Sequence, residues 1–130
     1  MKKAIIGTAS VIGLISIILG AFGAHAFKEV LTAEQLVSFE TGVRYQMYHA
    51  LFLLFIGTTS LMSNRQKKTI FTVTLIGLLF FSGSIYLLAT QSLSGIDFKF
   101  LGPVTPIGGL FLISAWLLTT IYALRQKTDK

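Results

Sequence analysis

Cysteine is absent from this sequence, which excludes disulfide bridges and thiolate chemistry. Charge is nearly as scarce. Five acidic and eleven basic residues amount to 12% of the chain, about half the share carried by a water-soluble domain. Only two histidines occur, with no third ligand at a metal-binding spacing, and no carboxylate pair or nucleophile with a base stands out. The sequence therefore points away from an enzyme, and no cofactor is expected.

What the chain has is length of apolar run. Ala4–Ala24, Tyr45–Met62, Thr69–Thr90 and Thr105–Ala123 are long and nearly uncharged. Each approaches the ~20 residues that a helix needs to cross a hydrocarbon core. Lipid offers backbone groups no partner, so such runs are helices. The expected fold is all-α, an integral membrane four-helix bundle formed by residues 1–130 as a single domain, with short links between antiparallel neighbours.

The net charge of +6 does not indicate nucleic acid, because the charges flank the runs. Lys2 and Lys3 precede the first, Arg65, Lys67 and Lys68 crowd the link after the second, and Arg125, Lys127 and Lys130 follow the last. Lys28, Arg44 and Lys99 fall on the opposite side. By the positive-inside rule both termini are cytoplasmic. Ala24-His25-Ala26 mimics a signal-peptide cleavage site, but a signal core is usually ~7–15 residues. The longer run here reads as an uncleaved first span.

Spacing inside the runs predicts how they pack. Ala9, Gly13, Ser16, Gly20 and Gly23 alternate steps of four and three, which puts them on one helix stripe. Gly108, Leu112, Ala115, Thr119 and Tyr122 repeat the rhythm in the fourth run, and Thr72, Ile76, Leu79, Gly83, Tyr86 and Thr90 in the third. Small residues on a stripe let membrane helices approach closely. Thr32-Ala33-Glu34-Gln35 fits a capping box, so the second helix is expected to begin there, at the outer interface, and to continue to Met62. Its early apolar edge of Leu36, Phe39 and Val43 suits an interfacial segment. Thr105 is expected to cap the fourth helix, with Pro106 at its first position.

Polar groups collect at the outer ends. His25, Glu40, Arg44 and Tyr45 belong to this candidate cluster, together with Gln46, Tyr48, His49 and Thr105. On the second helix Gly42, Gln46, His49, Gly57 and Ser60 form one stripe, and Glu40, Arg44 and Tyr48 another. Glu40 and Arg44 stand four apart in the favourable order for an ion pair. Either they neutralise each other at the interface, or Arg44 points inward to bind an anionic group. His25 and His49, placed at similar depth, either make interhelical hydrogen bonds or hold haem iron or a metal. The start of the fourth helix, with Gly108-Gly109, is either a tight packing point or an anion site. Trp116 and the phenylalanines read as packing and lipid contact.

Three stretches resemble a known family. Gly20-Ala21-Phe22-Gly23-Ala24-His25-Ala26, Phe39-Glu40-Thr41-Gly42-Val43-Arg44-Tyr45-Gln46-Met47-Tyr48-His49-Ala50 and Leu101-Gly102-Pro103-Val104-Thr105-Pro106-Ile107-Gly108-Gly109 are similar to those of the YwdK/YgdD-type small membrane proteins. That is a domain-of-unknown-function family of four-span bacterial inner-membrane proteins. The resemblance implies topology and location and carries over no substrate or catalytic residue.

The function expected from these observations is binding, without catalysis, of a lipid, a small ligand or a membrane-protein partner at the outer-side cluster. The alternative is an oligomeric permeation component for a small solute or ion, using the small-residue stripes between protomers of a homo-oligomer. A haem- or quinone-associated redox subunit is the third reading.

Overall fold

A computed structural model describes residues 1–126. Lys127 and Lys130, counted above with the basic flanks, lie outside the described residues. The described chain is helical throughout, with no strand. Helix α1 covers Lys2–Ala24, and a 3-10 turn at Phe27–Glu29 leads to α2, Ala33–Thr58. Helix α3, Asn64–Leu78, passes through a π-helical turn at Leu79–Gly83 into α4, Ser84–Ala89. A one-turn helix α5, Gln91–Ser94, and a 3-10 turn at Lys99–Leu101 precede α6, Val104–Arg125.

Three of these stretches are long and apolar enough to cross a membrane: Lys2–Glu29, Asn64–Ala89 and Lys99–Arg125. Helix α2 is not among them, because Glu34, Glu40, Arg44, Gln46 and His49 dilute the stretch from Ala33 to His49.

The helices form two antiparallel pairs. In the first, α1 lies along α2 with Gly13 facing Ala50 and Met47, Gly20 facing Val43 and Gly23 facing Phe39. The predicted small-residue stripe is this contact, and Ala9, Ser16 and Gly23 are buried in it. In the second pair α3 and α4 lie along α6, where Gly77 meets Leu112 and Gly108 meets the backbone of Phe80 and Phe81. Gly108, Leu112 and Ala115 are the buried stripe of α6, as the spacing predicted. The pairs join through α2, α3 and α4 over a core of Ile5, Ala9, Leu53, Ile56, Ile70 and Ala115.

The stripe predicted for the third run is corrected. Thr72 and Leu79 are exposed, and the buried residues are Ile70, Thr74, Gly77, Leu78, Ser82, Ser84 and Ala89. The predicted phase is already two residues off on α3, where Ile70, Thr74 and Gly77 face inward, and a π turn, which inserts a residue into the helical rhythm, shifts the buried face again after Leu79. Gly83, expected at a close approach, meets only Leu79 Cδ1 at 3.9 Å from where a Cβ would stand.

The capping box at Thr32 and Gln35 is present, with both reciprocal bonds formed. A second one joins Ser63 and Gln66 at the start of α3. Helix α2 ends at Thr58, short of the expected Met62, and Lys67 explains how. Its Nζ donates to Gly57 O at 3.3 Å, satisfying a carbonyl at the end of the helix and complementing the dipole there. Lys67 is therefore buried and not a solvated anchor. The early edge of α2 is also used internally: Phe39 packs with Leu31 and Ala89, flanked by Phe27, Leu36 and Val43. Finally, α6 starts at Val104 with Pro103 as its N-cap. Thr105 is inside the first turn, and Pro106 still falls where a missing N–H costs no helical bond.

Candidate functional site

The polar residues of the candidate cluster separate into a buried network and an exposed face. Gln46 and His49 belong to the network, whereas His25, Glu40, Arg44, Tyr45 and Tyr48 are exposed.

Gln46 ties three helices together. Its Nε2 donates to Ile12 O at 2.9 Å, and its Oε1 accepts from Tyr86 Oη at 2.6 Å. One turn earlier on α2, Gly42 O accepts from Ser82 Oγ at 2.8 Å. The π turn makes this bond available, since it swings Ser82 toward α2 while its backbone at Phe80 and Phe81 rests on Gly108 of α6. Ser84 closes the turn by donating toward Phe80 O, and it shares a 2.5 Å contact with Thr105 Oγ1. Thr105, expected as a cap, is thus a link between α4 and α6.

His49 is engaged at both ring nitrogens. Trp116 Nε1 donates to His49 Nε2 at 3.0 Å, and His49 Nδ1 lies 2.7 Å from Tyr45 O. An indole N–H only donates, so Nε2 accepts and Nδ1 carries the proton that Tyr45 O receives. Neither nitrogen is left to ligate iron or another metal. The expected common depth of the two histidines is also corrected. Along the α1–α2 register His49 is level with Gly13, and His25 stands about twelve residues, or about 18 Å, farther along the axis. His25 is the exposed C-cap of α1. Among the described residues no three metal-ligating side chains gather.

Arg44 does not point into the bundle. It is exposed, and its Nη2 donates to Thr41 Oγ1 at 3.2 Å on the same outer surface of α2. Glu40 leans the other way, its Cγ 4.0 Å from the position of a Cβ on Gly23 of α1. The Tyr45 ring sits 5.5 Å from Tyr48 and 5.2 Å from Phe81.

Beside these residues a groove of about 390 Å³ runs between α2 and α6. Thr41, Tyr45 and His49 form one wall, and Phe81, Gly109, Leu112, Ile113 and Trp116 the rest. Trp116 stacks on Phe52 with centroids 4.3 Å apart, which fixes the groove floor. Every buried side-chain polar atom among the described residues has a partner. The groove therefore offers a largely apolar surface in which Thr41, His49 and Trp116 are already hydrogen-bonded within the protein, and the guanidinium of Arg44 is bonded to Thr41 at one end. Sequence reasoning missed Trp116 as a site residue. Its signal was chemical: a lone indole in an apolar helix still needs an acceptor.

Residues 19–109 match the model of a family described as a protein of unknown function (DUF423), an interval that contains all three stretches quoted for the resemblance. A UPF0382 membrane protein of Staphylococcus haemolyticus is 40% identical over 112 residues, covering 83% of this chain and 84% of the relative. One from Haemophilus influenzae is 31% identical over 128 residues, covering 98% and 99%. The UPF0382 inner membrane protein YgdD of Escherichia coli is 34% identical over 124 residues, covering 92% and 88%. No solved structure matches.

Proposed function

The chain belongs to the DUF423 family, whose relatives are membrane proteins, and on that premise we propose that it is a four-pass binding protein of the bacterial cytoplasmic membrane. In this reading both termini are cytoplasmic, no reaction is catalysed, and the α2–α6 groove takes an amphiphile dissolved in the bilayer.

Several observations support the topology. Helix α2 has 26 residues, about 39 Å of rise, and lies antiparallel to α1, so it is long enough to cross. The basic residues gather at the end that holds Met1, the α2–α3 link and Arg125, which the positive-inside rule assigns to the cytoplasm. Outside the contacts, α1 and α6 present large apolar side chains such as Ile17, Leu110 and Ile113, as a lipid-facing surface requires.

The observation that carries the binding role is the groove itself. Thr41, His49 and Trp116 are hydrogen-bonded inside the protein, and the groove opens between exposed Tyr45, Ile113 and Trp116. Such a surface suits an apolar chain entering from the bilayer. Gly109 gives a direct test, because a Cβ there meets only Phe81 at 3.8 Å and a larger side chain extends into the groove. Native mass spectrometry of the protein released from membranes is expected to show a retained lipid or apolar ligand. Gly109→Leu should remove it and Gly109→Ala should keep it. An adduct indifferent to Gly109→Leu would overturn the reading.

A further inference from the structure

We infer that the groove's ligand is a phospholipid with an anionic headgroup, held at its phosphate by Arg44 beside Thr41, with one acyl chain lying along Tyr45 and His49 to Trp116. This inference rests on the groove as the binding site and adds the charge of its occupant.

Four observations lead to it. First, Arg44 is placed at the groove mouth by its bond to Thr41 Oγ1, and Thr41 is itself part of the groove wall. That bond uses one of the five N–H donors of a guanidinium, leaving a planar fork suited to a phosphate. Second, Arg44 is exposed on the outer surface of α2, on the stretch of helix that also exposes Tyr45 and Tyr48. A cation on such a face of a membrane helix is costly without a counter-charge or polar headgroups. Third, the nearest acid on the helix, Glu40, leans on Gly23 of α1, on the side away from the groove. The other acids at this end are occupied or distant in sequence: Asp97 Oδ1 accepts from Lys99 N, Glu34 is in the first turn of α2, and Glu29 is in the 3-10 turn before it. Fourth, the lining changes from hydroxyls at Thr41 and Tyr45 to hydrocarbon and indole at Leu112, Ile113 and Trp116. From Thr41 to His49 the wall rises about 12 Å, so headgroup and chain each meet matching chemistry along one path.

The test uses the full chain in nanodiscs that hold equal parts of phosphatidylglycerol and phosphatidylcholine with the same acyl chains. Trp116 is the one tryptophan, so quenching by chains brominated on either lipid reads occupancy of the groove. Phosphatidylglycerol is expected to quench with about fivefold greater relative association, the preference expected from one basic residue at a membrane surface. Arg44→Gln should bring the two lipids to equality, and Glu40→Gln should keep or raise the preference. Native mass spectrometry on the same samples should show one acidic lipid retained, lost on Gly109→Leu. Equal quenching by both lipids, or a preference that survives Arg44→Gln, would overturn the anionic headgroup. If lipid is still retained and still lost on Gly109→Leu, the groove reading stands and only the charge assignment falls. If no lipid is retained, or if Gly109→Leu has no effect on retention, both fall.

Discussion

Gln46 and His49 are polar side chains on one buried face of α2, and each is satisfied by a different neighbour. Gln46 bonds α1 through Ile12 O and α4 through Tyr86 Oη, while His49 accepts from Trp116 on α6. Interhelical bonds of this kind in membrane proteins average about 0.6 kcal/mol and reach about 1.7. A double-mutant cycle of Gln46→Leu and Tyr86→Phe is expected to give a coupling within that range, measured by denaturant unfolding in detergent micelles. Strict additivity would mean that the 2.6 Å contact contributes nothing. The stripe of Gly42, Gln46, His49, Gly57 and Ser60 was largely legible in the sequence because helical spacing alone assigns a face: the first four are buried, but Ser60 is exposed beyond the end of α2. Their partners were not legible. Nothing in a linear sequence places Trp116 opposite His49, sixty-seven positions away, or turns Ser82 toward Gly42. Arg44 shows the converse. Its spacing from Glu40 permitted an ion pair, but Thr41 lies one turn before it and Glu40 packs against the small surface of Gly23.

At the scale of elements, the π turn at Leu79–Gly83 organises the second helix pair. At Gly108 it is the backbone of the turn that meets α6, so Gly108 is the residue that allows the approach. A Cβ on Gly108 would stand 2.7 Å from Phe80 C and 2.8 Å from Phe81 Cα, distances at which a backbone must shift. Gly108→Ala is expected to cost about 1–3 kcal/mol, the usual range for overpacking. Gly109→Ala, one residue on, has room and should be neutral or mildly stabilising. Thermal unfolding of the two variants side by side checks this, since helix propensity changes equally and only the sterics differ. Gly83→Ala should behave like Gly109→Ala, although spacing alone grouped Gly83 with the packing residues. The small-residue stripes of α1 and α6 were readable because those helices are uninterrupted and bury a single face. The third helix contacts both α2 and α6 and contains the π turn, so no single period describes it. A loss of similar origin is expected at Lys67. Lys67→Met keeps the apolar stem but removes the bond to Gly57 O, and it should cost about 0.3–1 kcal/mol, the value of a cation at a helix C-terminus.

At the scale of the whole molecule, the open question is whether α2 crosses the bilayer beside α1. The stretch from Ala33 to His49 holds Glu34, Glu40, Arg44, Gln46 and His49, which lowers the helix's hydropathy below that of the other three long stretches. Yet Gln46 and His49 are buried and hydrogen-bonded within the protein, so they are not presented to lipid. Hydropathy counts residues without regard to face, and that is why it understates this helix. Packing also constrains it: the α1–α2 contact runs from Gly57 against Ile5 and Ile6 to Gly23 against Phe39. In the four-pass reading proposed above, α2 crosses beside α1 in the opposite direction. The absence of cysteine makes the topology directly measurable with single introduced thiols. Cysteines at Val30 and Ile96, both exposed in the links at one end, are expected to react with a membrane-impermeant maleimide on intact spheroplasts. Cysteines at Lys2 and Ser60, at the other end, should react only after permeabilisation. Labelling of Ser60→Cys together with Val30→Cys on intact cells would show that α2 returns without crossing. Because the groove lies along α2 and α6, that outcome would also remove its access to a lipid held across the same leaflet.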